Sequence, residues 1–155
     1  LEHNIHEIII NSIKSEELSD LTFNYVISPK SKYFKYLRNC EKKLNNLNVH
    51  KTQHSLAPFI YESDISIGAG GSTSLERLCL NLPSLVIVMA ENQNQISKDL
   101  HRNKYIFLIG NYKNINNEKI INSIIKAKNN NLKLKNGSKI VDGLGVQRLV
   151  EKMIR

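Results

Sequence analysis

Three glycines and two hydroxyls fall within six residues, Gly68–Ala69–Gly70–Gly71–Ser72–Thr73. Glycine lacks a Cβ, so backbone N–H groups in such a run can approach a ligand closely. Ser72 and Thr73 open the next predicted helix, whose unpaired N–H groups and dipole favour an anion. Their hydroxyls add donors for phosphate oxygens. The chemistry spelled here is an anion cradle between a strand and a helix. No lysine follows the last glycine, so the run is not a Walker loop. It also departs from GxGxxG, because Thr73 holds the third glycine position; a conventional NAD site is not expected. Taken alone, a tight strand-to-helix turn without a ligand reads the same way.

Glu76 has two readings. Thr73-x-x-Glu76 has the spacing of a capping box, in which the threonine bonds the third helical N–H and the glutamate reaches back. The same carboxylate in the first helical turn could accept hydrogen bonds from a ribose diol. Ser72 and Ser74 do not sit in a GxSxG elbow, and no acid–histidine pair accompanies them. His3 and His6 lie one helical turn apart without further ligands and read as a surface pair, not a metal site. His50, His54 and His101 read as ordinary polar positions. Cys40 and Cys79 form no CxxC and fit a reducing, cytoplasmic setting; Cys79 lies on an apolar stripe and is expected in the core.

Strands and helices alternate around these residues. Ile5, Ile8, Ile9 and Ile13 have helical spacing. Leu21 to Ser28 reads as a strand ended by Pro29, Lys32 to Leu44 as a helix, and Leu47 to His50 as a short strand. A short helix or turn over Leu56 to Tyr61 accommodates Pro58. The strand Asp64 to Ile67 leads into the glycine turn. Helix Thr73 to Leu80 carries Leu75, Leu78 and Cys79 on one face, with Leu82 continuing the stripe, and Pro83 stops it. Leu85 to Met89 is a continuous apolar run, as in a parallel strand covered on both faces. Helix Asn94 to Arg102, strand Tyr105 to Ile109, helix Asn117 to Ala127 and helix Val146 to Ile154 complete the order. Asp142 and Arg148 are expected to fix the last turn and helix. This alternation predicts right-handed crossovers and a doubly wound parallel α/β sheet, with ligands at the carboxyl ends of its strands. Such a sheet normally opens with a strand, whereas this chain opens with a helix. The first strand is therefore expected upstream of Leu1.

Length and charge bound the function. The 155 residues suit one domain, 1–155, with a sizeable core. Hydrophobic content of 41% fits a globular chain. No apolar run approaches the roughly 18 residues that span a bilayer. The net charge of +8, from 22 Lys+Arg against 14 Asp+Glu, suits nucleotides or peripheral contact with an anionic membrane face. Lys, Asn and Ile recur throughout, however, which indicates a compositional bias of the genome. No aromatic and basic stacking pattern accompanies the charge, so nucleic acid is not the expected partner.

The run from Asp64 to Gln93 resembles the corresponding segment of the GT-B nucleotide-sugar enzymes. The strongest likeness is to the UDP-sugar hydrolase of pseudaminic acid synthesis and the related spore-coat polysaccharide group; a more distant one is to the peptidoglycan UDP-GlcNAc transferase. The shared features are GAGGST, Glu76, Leu82–Pro83, an apolar strand and Asn92–Gln93. The segment Val141–Asp142–Gly143–Leu144–Gly145–Val146–Gln147–Arg148 resembles the hydrolase group's closing segment.

The resemblance implies the C-terminal, Rossmann-like domain of a bacterial two-domain enzyme of surface polysaccharide or nonulosonic acid synthesis. It implies cleavage of the anomeric bond of a UDP-sugar, by hydrolysis or glycosyl transfer. Gly70, Gly71, Ser72 and Thr73 match positions that hold the diphosphate, and Glu76 the ribose-binding glutamate. Asn92 and Gln93 match the donor-sugar segment, and His54, Ser55 and Leu56 the region that meets uracil. Catalytic residues are expected on a missing N-terminal domain and none in this chain, which alone should turn nothing over. No metal or cofactor beyond the UDP-sugar substrate is expected. The rival reading is a non-catalytic α/β binding or interaction domain whose glycine turn is structural.

Overall fold

A computed structural model describes residues 5–154. The fold comprises two compact units. One holds the chain up to Phe59 together with Ile109–Asn131; the other holds Ile60–Leu108 and the chain from Leu132 onward.

In the first unit, helix α1 spans Ile5–Ile13, as its isoleucine spacing predicts. Strands β1 (Phe23–Ile27) and β2 (Leu47–Lys51) pair in parallel from Phe23↔Leu47 to Ile27↔Lys51. A parallel pair needs a crossover, and helix α2 (Phe34–Glu41) lies between the two strands in sequence. Ile10, Ile13, Ile27, Leu37, Leu47 and Val49 form the buried core. Glu41 ties α2 to β2: its carboxylate accepts the Val49 N–H at 2.8 Å and pairs with Arg38. Helix α3 spans Ala57–Tyr61, with Pro58 in its first turn; its last two residues, Ile60 and Tyr61, count with the second unit. Residues Asn117–Lys128 form a helix here called α6, capped by Asn116, whose side chain accepts the Lys119 N–H at 2.9 Å. Lys126 and Lys128 in its last turn complement the dipole. His6 is not on the surface as expected. It is half-buried, lies 2.7 Å from the Tyr25 hydroxyl and stacks on Tyr33, and burial lowers its pKa. His3 lies outside the described residues.

In the second unit, strands β3 (Ser66–Ala69) and β4 (Ser84–Val88) pair in parallel from Ser66↔Ser84 to Ala69↔Ile87. Strand β5 (Phe107–Asn111), whose first two residues count with this unit, extends the order to β3-β4-β5. All five residues of β4 are buried, which is why its sequence is a continuous apolar run. Helices α4 (Ser72–Cys79), α5 (Asn94–Arg102) and α7 (Gly145–Met153) belong here. Leu78, Val86 and Ile106 make a buried cluster against Leu100, Tyr105, Leu108 and Val141. The start of α7 is clamped by Asp142, which receives both Arg148 guanidinium nitrogens, at 2.7 and 2.9 Å, and the Leu144 N–H. Those donors hold the Asp142 carboxyl well below the usual carboxylate range. Val146, Met153 and Ile154 of the α7 region are exposed.

The chain is thus α/β and Rossmann-like, with parallel strands in one two-stranded and one three-stranded sheet flanked by helices. Most element boundaries shift by one to three residues from expectation, among them β1, α2 and β3, and two of the differences have identifiable reasons. Helix α4 is not stopped by Pro83 but by Asn81, which takes a left-handed conformation with φ 56°. The Asn81 N–H then bonds the Leu78 carbonyl and the Leu82 N–H the Arg77 carbonyl, a complete Schellman end. Helices α5 and α6 end in the same way at Lys104 and Asn130. The cap on α5 uses Tyr105, so β5 starts at Phe107, two residues later than its β-forming composition predicts.

Candidate functional site

The turn is shorter than its glycine content suggests. Gly68 and Ala69 finish β3, and Gly71, at φ −84° and ψ −159°, is the N-cap of α4. Only Gly70 and Gly71 therefore lie between strand and helix. With the N-cap at Gly71, Thr73 is the second helical residue, and no side chain caps the helix. The capping box of Thr73 and Glu76 is accordingly not formed. Ser74 reaches back instead: its hydroxyl and its N–H both donate to the Gly71 carbonyl, at 2.5 and 2.9 Å. That bond occupies the Ser74 hydroxyl, which is buried and unsuited to act as a nucleophile. The N–H groups of Ser72 and Thr73 have no acceptor within the helix, as at any helix start.

The glycines are explained by different neighbours. A Cβ on Gly68 would strike the Arg77 guanidinium, and one on Gly70 would strike the Ser97 hydroxyl, with Val86 at 3.3 Å. At Gly71 a Cβ would meet only the Gln93 side-chain nitrogen, at 3.6 Å. Gly68 and Gly70 thus leave room for side chains of the interior behind the turn. Gly71 alone faces space that a ligand could share.

Behind the turn sits a buried cation. Arg77 is 5% exposed, and one guanidinium nitrogen donates to the Ala69 carbonyl at 2.8 Å. Its Nε is buried without a hydrogen-bond partner. Burial pulls its pKa down to about 10, while neighbouring Glu76 opposes that shift through space, so the group keeps its charge at neutral pH. The Ser97 hydroxyl, 1% exposed, also has no partner. Most buried polar atoms are satisfied, and each exception requires a reason. Here two exceptions flank the same three residues.

Of the other predicted residues, Gln93 is brought to the turn. Its carbonyl oxygen accepts the Met89 N–H at 3.0 Å, which leaves its amide nitrogen facing Gly71. Asn92 is exposed in the 3-10 turn Glu91–Gln93 between β4 and α5. Glu76 is exposed on α4, one turn in from the N-cap. His54, Ser55 and Leu56 lie in the first unit, where the Ser55 hydroxyl accepts the Ala57 N–H at 3.1 Å and starts α3. Cys79 is half-buried, and Leu75, expected on the apolar stripe, is 39% exposed. The buried face of α4 is instead Ser74, Arg77 and Leu78.

Arg77 and Ser97 were not legible as site residues. A signal existed for the first: Ser74, Arg77 and Leu78 are spaced i, i+3 and i+4, a second possible inward face beside the leucine stripe. Ser97 carried no signal; its role depends on α5 packing against Gly70. Among the described residues no group of His, Cys, Asp or Glu is arranged to hold a metal ion, and no helix is long and apolar enough to cross a membrane.

Fold and site together define a Rossmann-like α/β chain with a glycine turn at a helix N-terminus, backed by a buried cation. No protein-family model matches the chain. No curated protein matches it in sequence.

Proposed function

We propose that this chain is the nucleotide-sugar-binding half of a GT-B enzyme, cleaving the anomeric bond of a UDP-sugar by hydrolysis or glycosyl transfer. In that reading the diphosphate rests on the N–H groups of Ser72 and Thr73 and on their hydroxyls. Charge developing on the leaving diphosphate is stabilised there by preorganised donors. Glu76 takes the ribose diol, and Asn92 and Gln93 take sugar hydroxyls with amides that both donate and accept. Acid–base groups come from another domain, in the cytoplasm of a bacterial cell, and no metal is needed.

The observation that carries this reading is the open side of Gly71. There an uncapped helix start, two unused N–H groups and the Gln93 amide converge. Glu76, not occupied by a capping box, stands one turn away. Calorimetric titration of UDP tests it. The wild-type chain should bind UDP, and Gly71→Asp should bind it at least about tenfold more weakly, because a carboxylate would stand where the anion sits. Equal heats from the two proteins would sink the site.

A second reading is favoured by the other two glycines. Arg77 and Ser97 fill the space beside Gly68 and Gly70, so those residues are explained without any ligand. A structural turn in a non-catalytic binding domain fits that fact. It leaves the absent cap of α4 and the orphaned polar atoms without an account.

A further inference from the structure

We infer that the Arg77 guanidinium, assisted by the Ser97 hydroxyl, is a buried counter-charge that holds a diphosphate on the N-terminus of α4. The inference rests on the diphosphate reading above and assigns it a positioning residue.

Side chains on a helix lean toward its N-terminus. Arg77 therefore reaches back along α4 to the Ala69 carbonyl, at the last residue of β3. Its cation lies directly behind Gly68, and the Ser97 hydroxyl lies directly behind Gly70. Both glycines leave room for these groups where they lie. A hydrophobic residue in place of Arg77 would satisfy the core at no desolvation cost. The fold instead retains a guanidinium whose Nε has no partner and which no carboxylate among the described residues meets at bonding distance. An unpaired buried charge is expensive, and an anion on the other side of a thin glycine wall compensates it through space. In a low-dielectric interior such a charge acts across several ångströms with little screening. A helix N-terminus alone provides only about half an elementary charge; Arg77 adds a full one. The site thereby favours a multiply charged diphosphate over a neutral nucleoside.

The test separates a structural from an electrostatic role. Arg77→Met keeps the length of the side chain and removes the charge. Thermal unfolding should show it at least as stable as wild type, because replacing a buried charge by an apolar group is often neutral or stabilising. UDP and inorganic pyrophosphate should bind it about tenfold more weakly, the scale of one charge-assisted contact. Any uridine binding should be unchanged, and Arg77→Lys should recover part of the loss. If Arg77→Met retains wild-type affinity for UDP and pyrophosphate while Gly71→Asp loses it, Arg77 has no such role and the diphosphate reading stands. If the wild type binds neither UDP nor pyrophosphate, both fall. Should Arg77→Met not fold, nitrogen-15 spectra of the wild-type chain replace it. Pyrophosphate should then shift the buried Arg77 Nε–H signal, and movement of the Ser72 and Thr73 amides without it would overturn the inference.

Discussion

At its C-terminal end helix α4 meets its polar demands from within the protein. Asn81 turns left-handed, the Asn81 and Leu82 N–H groups bond the last carbonyls, and the Asn81 side chain accepts the Gly137 N–H at 3.0 Å. At its N-terminal end the same helix has no side-chain cap and two unused N–H groups, and behind that end lie two buried polar atoms without partners, Arg77 Nε of α4 and the Ser97 hydroxyl of α5. Eight residues of one helix thus join a saturated end to an unsaturated one. Saturation stabilises; a persistent deficit marks a place where the fold gives up stability to keep polar groups available. The glycines follow the same division. Gly137 is needed because protein fills its Cβ position, whereas Gly71 is needed by nothing in the protein.

Substitutions at the two ends can break this contrast. The largest effect is expected at Gly137, where an added Cβ would come within 2.7 Å of the Leu78 carbonyl oxygen and 2.9 Å of its Cα. Gly137→Ala should cost about 3 kcal/mol by overpacking against backbone, read from urea unfolding, with UDP affinity unaffected in the protein that remains folded. Next is Asn81→Ala. It replaces asparagine, whose polar side chain tolerates the left-handed region, with alanine, which does not, and it strands the Gly137 N–H; it should cost about 2 kcal/mol. Smallest is Gly71→Asp. Its φ is negative and its Cβ has room, and aspartate is a good N-cap, so stability should rise by about 0.3 kcal/mol. A loss of stability at Gly71 comparable to that at Gly137 would abolish the distinction between the ends.

Much of the framework was legible in the residues. The isoleucine spacing of α1 and α5's bounds matched, and the apolar run of β4 announced a strand buried on both faces. The glycine run also marked the change from strand to helix. What escaped was set by tertiary packing. Gly68 reads as turn but is strand, because its missing Cβ serves Arg77 and not chain reversal. Arg77 by its type gives no sign of burial, because charged residues are rarely buried. The leucine stripe pointed to Leu75, yet α4 is rotated so that Ser74 and Arg77 face inward. Helix ends at Asn81, Lys104 and Asn130 lack the glycine that usually signals them, since each helix closes with a residue that tolerates the left-handed region at some cost. Within the candidate site, sequence placed Gly71, Ser72, Thr73 and Gln93 near one another. It could not place the cation behind them.

The bond between Asn81 and Gly137 also bears on how the protein ages. Asn136 precedes Gly137, the sequence pair in which a backbone nitrogen most easily attacks the preceding side-chain amide and converts it to aspartate. In the fold that nitrogen is committed to Asn81, and the Asn136 side chain is held by the Ser138 N–H at 2.9 Å and hydroxyl at 2.7 Å. Both reacting groups are therefore restrained while the end of α4 stays closed. Deamidation at Asn136, followed by mass spectrometry over weeks of storage, becomes a slow clock for how often that end opens.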